Sequence, residues 1–365
     1  MRHALILAGG SGLRLWPMSR EKRPKQLVPF LNGKTLLAAA VERLGDLAAP
    51  ANRYVCAGDK QRAAICAELP GWPAENFIGE PVGRDTLTAI GLSAALIARR
   101  DPAGVMAVFP ADHLIEPAGE FRNVMDRAYA LAERHSEALI TFGVPPTGPS
   151  TAYGYLELGE PFAASDARLV RRFREKPDAV TAGQYFEAGS EKYAWNSGMF
   201  VWQARTLLEC IRRYRPIAAA ELERMAEAWD TPARSSVLES VYPRMEKVSI
   251  DYAVMEPASQ DPAVSVVAVP LPLRWLDIGS WPSFGRTLDR DAAGNAAAAP
   301  RCVLQDCSRT MAVSDDPTHL LAILGCEDLI VVHTRDVTLV CRADHAEAVK
   351  RLHQQVAERF GDEYV

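Results

Sequence analysis

Residues 5–26 carry the chain's densest set of groups suited to holding a polyphosphate. An apolar run, Leu5 to Ala8, breaks at Gly9-Gly10-Ser11-Gly12, and five bases follow (Arg14, Arg20, Lys22, Arg23, Lys25) against one acid, Glu21. Glycines let backbone amides approach phosphate oxygens, and the bases supply compensating charge. The string is neither G-x-G-x-x-G nor G-x-x-x-x-G-K-[ST], and Ser11 lacks the glycine two residues on that a nucleophile elbow needs. A glycine turn followed by a solvated basic loop has the same composition, so these residues alone leave both readings open.

Two acids follow short apolar stretches. Pro110-Ala111-Asp112-His113 ends one such run, and Trp275-Leu276-Asp277-Ile278-Gly279 ends another. Mg²⁺ takes one or two carboxylates and completes its shell with phosphate and water, so the pair suits it. Each acid alone serves equally well as a turn or cap residue. His113 is read as structural, and no His/Cys cluster suggests zinc. Phe173-Arg174-Glu175-Lys176-Pro177 sets an acid beside a base. Strand neighbours point to opposite faces, so both reach one ligand only if the chain bends there. Asn196 in Trp195-Asn196-Ser197-Gly198 both donates and accepts, which suits a hydroxyl-rich ligand. Asp251, in Ser249-Ile250-Asp251-Tyr252-Ala253, reads on its own as the N-cap of a short helix.

These residues need a scaffold. Strands are expected at residues 3–8, 53–57, 76–79 and 104–109, with helices over 35–47, after a cap at Asp59, and over 85–100. Buried strands alternating with helices imply right-handed βαβ units and a mostly parallel sheet, with ligands beyond the strands' carboxyl ends. Residues 153–157 and 170–174 read as an antiparallel insertion, and 206–214 and 217–228 as amphipathic helices. Asp291 to Pro300, with its alanine run, reads as a linker. Strands at 320–324, 329–333 and 337–341 and a closing helix over 345–360 complete the tail, whose expected role is packing or self-association as a homodimer.

The 365 residues exceed one typical domain, and 48% hydrophobic with 24% charged residues is ordinary for a globular protein. A net charge of −5 argues against nucleic acid as a partner. Seven scattered cysteines without a C-x-x-C pair read as reduced thiols of a cytoplasmic protein. No stretch approaches a membrane span, and the first apolar run is too short for a signal-peptide core.

The string Gly9-Gly10-Ser11-Gly12-Leu13-Arg14-Leu15-Trp16-Pro17, with Pro24-Lys25, resembles the G-G-x-G-x-R-L-x-P and P-K signature of the sugar-phosphate nucleotidyltransferases. Trp16, Ser19-Arg20 and Gln26 resemble the mannose-1-phosphate guanylyltransferase branch. Matching segments run in family order from residue 5 to 281, and the tail's Gly325 to Val332 also resembles these enzymes. The resemblance implies a Rossmann-like α/β catalytic domain over 1–288. It also implies a small C-terminal β-rich domain over 289–365, a short left-handed β-helix ending in a helix. The expected form is the short one, without the phosphomannose isomerase domain of longer members.

The implied reaction joins GTP and mannose 1-phosphate into GDP-mannose and pyrophosphate, with Mg²⁺ (or Mn²⁺) on Asp112 and Asp277. Leu7, Ala8, Gly9, Gly10, Gly12, Arg14, Lys25, Gly83, Asp85 and Thr86 would bind the nucleotide. Gly154, Glu175, Lys176, Asn196 and Asp251 would bind the sugar phosphate. Arg14, Lys25, Asp112 and Lys176 would act in catalysis. Asp85 stands where the family's P-x-G-R-N-T segment carries Asn, Leu13 where many relatives have Thr, and Arg174 where an aliphatic residue is usual. The alternatives are a UDP- or dTDP-glucose type of transferase, or a catalytically inactive sugar-nucleotide sensor.

Overall fold

The computed structural model describes residues 1–10, 12–30 and 33–365. Ser11, part of the expected phosphate turn, lies outside the described residues. The chain folds into two compact units that exchange segments of sequence. The first comprises Met1–Gly9, Ala40–Ala111 and Ile115–Trp275; the second comprises Gly10–Ala39, Asp112–Leu114 and Leu276–Val365.

The first unit is built on nine strands: β1 (Arg2–Leu7), β2 (Arg53–Gly58), β3 (Phe77–Glu80), β4 (Val105–Pro110), β6 (Ala138–Val144), β7 (Tyr155–Pro161), β8 (Arg168–Arg174), β9 (Tyr193–Gln203) and β10 (Ser265–Pro270). The order across the sheet is β3-β2-β1-β4-β9-β6-β10-β8-β7. β1 to β4 run parallel, with Leu5 opposite both Tyr54 and Val108. Their central residues are buried, so the strands are apolar throughout rather than alternating. β9 runs antiparallel to β4 and β6, and β6 is parallel to β10. β7 and β8 form the expected antiparallel pair. They join the main sheet through β9 and β10 rather than standing apart from it.

The helix Asp85–Arg100 buries an apolar face that includes Leu87, Ile90 and Ile97, in one core with Leu207, Ile211, Leu222 and Met225. Those partners lie on the helices Ala204–Tyr214 and Pro216–Ala228. Asp59 is not a helix cap. It opens a 3-10 turn, Asp59–Gln61, and its carboxylate accepts from the Arg62 guanidinium at 2.9–3.0 Å.

Two short strands, β5 (His113–Glu116) and β11 (Arg274–Asp277), pair with each other. The tail then winds through β12 (Ala296–Ala298), β13 (Cys302–Gln305), β14 (Met311–Ser314), β15 (Leu321–Leu324), β16 (Leu329–His333) and β17 (Thr338–Arg342). β12, β14 and β16 stack in parallel, β13 and β15 form a second parallel pair, and β17 returns antiparallel to β16. Strands that recur in register on two faces make a β-rich coil, closed by the helix Val349–Phe360. The alanine run expected to be a linker is instead β12, the first rung, because Ala296 is buried in the core. The flanking Asp291 accepts from the backbone amides of Ala293 and Asn295, which fixes the turn before it.

The second unit's core joins Leu15, Trp16, Met18 and Phe30 to Trp281, Phe284, Met311, Ile330 and Val332. Trp281 Nε1 donates to the Trp16 carbonyl at 3.0 Å, and Trp16 Nε1 to the Tyr364 carbonyl at 2.7 Å. The basic arm is therefore packed and partnered rather than a free cationic arm. Arg20 pairs with Asp336, and Arg23 lies 3.0 Å from Asp315.

Candidate active site

In the second unit, the chain after Gly10 turns at Gly12 into the short 3-10 helix Leu13–Leu15. Gly12 has φ +61°, and a Cβ there would stand 2.7 Å from Ser19 Oγ and 2.8 Å from Lys25 Cβ. Only glycine fits that turn without a shift. The close approach seats Lys25, 8% exposed, whose ammonium pairs with Asp112 and donates to the Ile278 carbonyl at 3.5 Å. An ammonium has three donors, so one remains for a ligand. Burial alone would lower the Lys25 pKa, but the carboxylates of Asp112 and Asp277 hold it above the ordinary value.

Asp112 and Asp277 are brought together by backbone: Ile278 N donates to the Asp112 carbonyl at 3.0 Å. One ligand atom each from Asp112, His113 and Asp277 lies within 4.8 Å of the others. Burial pushes the Asp112 carboxyl up, yet the Lys25 ammonium overrides it and holds the group at about 2. Asp277 moves the other way, raised by burial and by the facing Asp112 charge. Two carboxylates against one ammonium leave negative charge that a further cation would relieve, so the donor set fits a divalent ion. Arg14, with its side chain 45% exposed, sits on the same unit and donates to Glu347 at 3.0 Å.

In the first unit, β1 and β4 end level, with Leu7 opposite Pro110. The Leu7 carbonyl accepts from Ala111 N at 2.9 Å and Ala8 N donates to Cys56 O at 2.8 Å, so both backbone groups are already committed. Glu80 ends β3 beside this point. Its Oε2 is 3.5 Å from where a Gly9 Cβ would stand, and its Oε1 accepts from Tyr242 Oη at 2.6 Å. Burial raises the Glu80 pKa. Sequence reading did not single out Glu80, because its hydroxyl partner lies 162 residues away.

The turn at Gly83 leads into the long helix. Asp85 adopts φ +63°, a conformation Asn and Asp tolerate better than other side chains, which accounts for Asp standing in an Asn position. Its Oδ1 accepts from Thr86 N at 2.8 Å. Thr86 Oγ1 accepts from Ile250 N at 2.9 Å, which ties this turn to the segment carrying Asp251.

Gly154, Glu175, Lys176, Asn196 and Asp251 form one cluster. The expected bend after β8 is present: Lys176 takes φ +43° and its Nζ lies 3.0 Å from Glu175 Oε1. A side chain in that left-handed region stores strain. Asn196 N donates to the Gly154 carbonyl at 2.8 Å, and Asn196 Nδ2 donates to Asp251 Oδ1 at 2.8 Å. Burial, and then the neighbouring Glu175 charge, push Asp251 up to about 7. Burial likewise raises Glu175 against the pull of Lys176. Asp251 opens a short π-helical turn and accepts from a side chain rather than capping the helix.

A large α/β sheet in the first unit, and in the second a glycine turn, a buried lysine, paired carboxylates and a β-coil, define a class, and comparison with known proteins gives the same one. Residues 3–293 match the Nucleotidyl transferase family and residues 301–356 match the MannoseP isomerase/GMP-like beta-helix domain. The chain belongs to the nucleotidyl transferase family, and within it to the mannose-1-phosphate guanylyltransferase branch. It is 36% identical over 355 residues to the Xanthan biosynthesis protein XanB of Xanthomonas campestris pv. campestris, covering 96% of this chain and 72% of that one. It is 33% identical to a mannose-1-phosphate guanylyltransferase of Escherichia coli (strain K12), covering 97% and 73%. A solved structure from Thermus thermophilus, described as a mannose-1-phosphate geranyltransferase, superposes with a TM-score of 0.85 at 32% identity, covering 97% of this chain and 99% of that one.

Proposed function

We infer that this enzyme transfers the guanylyl group of GTP to mannose 1-phosphate, giving GDP-mannose and pyrophosphate. The observation that carries the reading is the constellation of the buried Lys25 with the half-buried Asp112 and Asp277, in a chain that relatives named mannose-1-phosphate guanylyltransferase match over nearly its whole length. A sugar phosphate oxygen attacks the α-phosphorus of GTP. The new O–P bond forms as the bond to the β-phosphate oxygen breaks, and pyrophosphate leaves with that electron pair. The nucleophile is already an anion, so no general base is required. The protein's work is to position two mutually repelling anions and compensate charge.

The amides of Gly9, Gly10 and Gly12, with Arg14 and the remaining Lys25 donor, would hold the triphosphate; Leu7, Ala8, Gly83, Asp85 and Thr86 would line the nucleotide. Lys176 would meet the sugar phosphate, and Gly154, Glu175, Asn196 and Asp251 the sugar hydroxyls. Mg²⁺, or Mn²⁺, would be held by Asp112 and Asp277, where it supplies Lewis-acid charge compensation for phosphate oxygens.

In covalent order the proposed catalytic domain is 1–288 and the β domain 289–365. A cytoplasmic setting suits seven free cysteines, and no helix among the described residues is long and apolar enough to cross a membrane. The proposal includes a homodimer, which light scattering would read as twice the 39.9 kDa chain mass.

The test is pyrophosphate release with Mg²⁺, crossing four nucleoside triphosphates with the 1-phosphates of mannose, glucose and N-acetylglucosamine. A maximum at GTP with mannose 1-phosphate is expected. A maximum with UTP or dTTP and glucose 1-phosphate would overturn the base and sugar assignment. A folded protein silent across the grid would point to the sensor.

A further inference from the structure

Thr141 is fully buried on β6, inside a run of apolar neighbours, and its hydroxyl lies 2.6 Å from Asn196 Oδ1 and 3.1 Å from the Met199 carbonyl. A hydroxyl carries one proton and serves one of these acceptors at a time. The other end of the Asn196 amide decides the matter. Its Nδ2 faces Asp251 Oδ1 at 2.8 Å, and with Asp251 ionised only a donor is favourable there, so Oδ1 then faces Thr141 and receives its proton. Thr141, Asn196 and Asp251 thus form a directed chain of three groups, each holding the next in one orientation.

We propose that Thr141 is a positioning residue for the sugar phosphate, locking the Asn196 amide so that its second N–H and the rest of the Asp251 carboxylate stay aimed at the sugar hydroxyls. The inference rests on the assignment of Asn196 and Asp251 to the sugar. Thr141 itself touches no substrate. The register supports its role, because Thr141 lies opposite Phe200 and Gly143 opposite Asn196, so the irregularity places two extra residues on β9, between Asn196 and Phe200. Without the hydroxyl, Asn196 Oδ1 loses its donor in a dry interior, and the flipped amide would turn its oxygen toward a carboxylate.

The experiment compares wild type, Thr141→Val and Thr141→Ser in steady-state pyrophosphate release, with thermal melts alongside. Thr141→Val keeps shape and removes the hydroxyl. Its KM for mannose 1-phosphate should rise about 5- to 30-fold, with kcat and the KM for GTP near wild type. Thr141→Ser, which keeps the hydroxyl, should restore the low KM. An unchanged KM in Thr141→Val overturns the inference. So does an equal rise for both substrates, or a defect shared by Thr141→Ser, since either marks a role in packing alone. If Thr141→Val does not fold, Thr141→Ala carries the same comparison. A wild type inactive with mannose 1-phosphate overturns the functional reading and this inference with it, whereas an active wild type beside an unaffected Thr141→Val overturns the inference only.

Discussion

Replacing Gly154 by Ala tests the sugar-side cluster with a single methyl group. The added Cβ would stand 2.4 Å from Glu175 Oε2, 3.0 Å from Phe173 Cζ and 3.4 Å from Phe173 Cε2. Ordinary contact begins near 3.4 Å, so something must retreat by about 1 Å. Phe173 is fully buried and needs to give only a few tenths of an ångström, so most of the shift falls on the Glu175 carboxylate and disturbs its 3.0 Å pairing with Lys176. A displacement of about 1 Å at a positioning group costs on the order of 10²-fold in rate. Overpacking costs about 1–3 kcal/mol in stability, a drop of several degrees in Tm for a chain of this size. The assay is pyrophosphate release at subsaturating mannose 1-phosphate, with circular dichroism to establish folding. A folded Gly154→Ala protein whose kcat/KM stays within roughly threefold of wild type would refute both the close approach and the role given to Glu175.

Further outcomes follow from the other groups. Lys25→Met should lower kcat/KM by about 10²–10³-fold. It should also melt earlier, since a buried pair that loses one partner costs about 3–5 kcal/mol; a folded variant near wild-type rate would remove Lys25 from catalysis. Chelation with EDTA should abolish turnover and added Mg²⁺ should restore it, and full activity in EDTA would remove the cation from Asp112 and Asp277. Asp251 gives a pH signature. Its folded pKa, about 7, lies above the unfolded value near 3.9, so between these pH values the folded state binds more protons and the group's contribution to stability falls as pH rises. Asp251→Asn removes that loss, so the Tm difference, variant minus wild type, should be more positive at pH 8 than at pH 5. An equal or reversed difference would contradict the raised pKa.

The parallel strands β1 to β4, the β7–β8 pair and the helix Asp85–Arg100 were legible because burial writes itself as apolar runs and 3.6-residue periodicity, whereas β6, β9 and β10 were not singled out. β12, β13 and β14 were not. Each has only three or four residues, too few for a period to show, and β12 is an alanine run that reads equally as loop. The site followed the same division. The glycine turn and the two aspartates stood out by their positions after apolar runs, while Gly154, Glu175, Lys176 and Asn196 were assigned through the family resemblance, and the bend that Glu175 and Lys176 would need is present. Partners could not be named, because pairing is set by the fold: Arg20 meets Asp336 across 316 residues and Lys25 meets Asp112 across 87. Thr141 was hidden by its setting, since one hydroxyl in an apolar strand looks like packing until Asn196 is placed against it.

The way the second unit is assembled also fixes an order of events during synthesis. Its parts are residues 10–39, 112–114 and 276–365, so Lys25, Asp112 and Asp277 leave the ribosome at three separate times. The nine strands of the first unit are all translated by residue 270, ahead of the coil that completes the second core. N-terminal segments fold first as a chain emerges, so the sheet can settle while Leu15, Trp16 and Phe30 still wait for Trp281, Ile330 and Val332. The charged constellation is thus the last of these parts to be completed, since Asp277 follows every strand of the first unit's sheet in the chain.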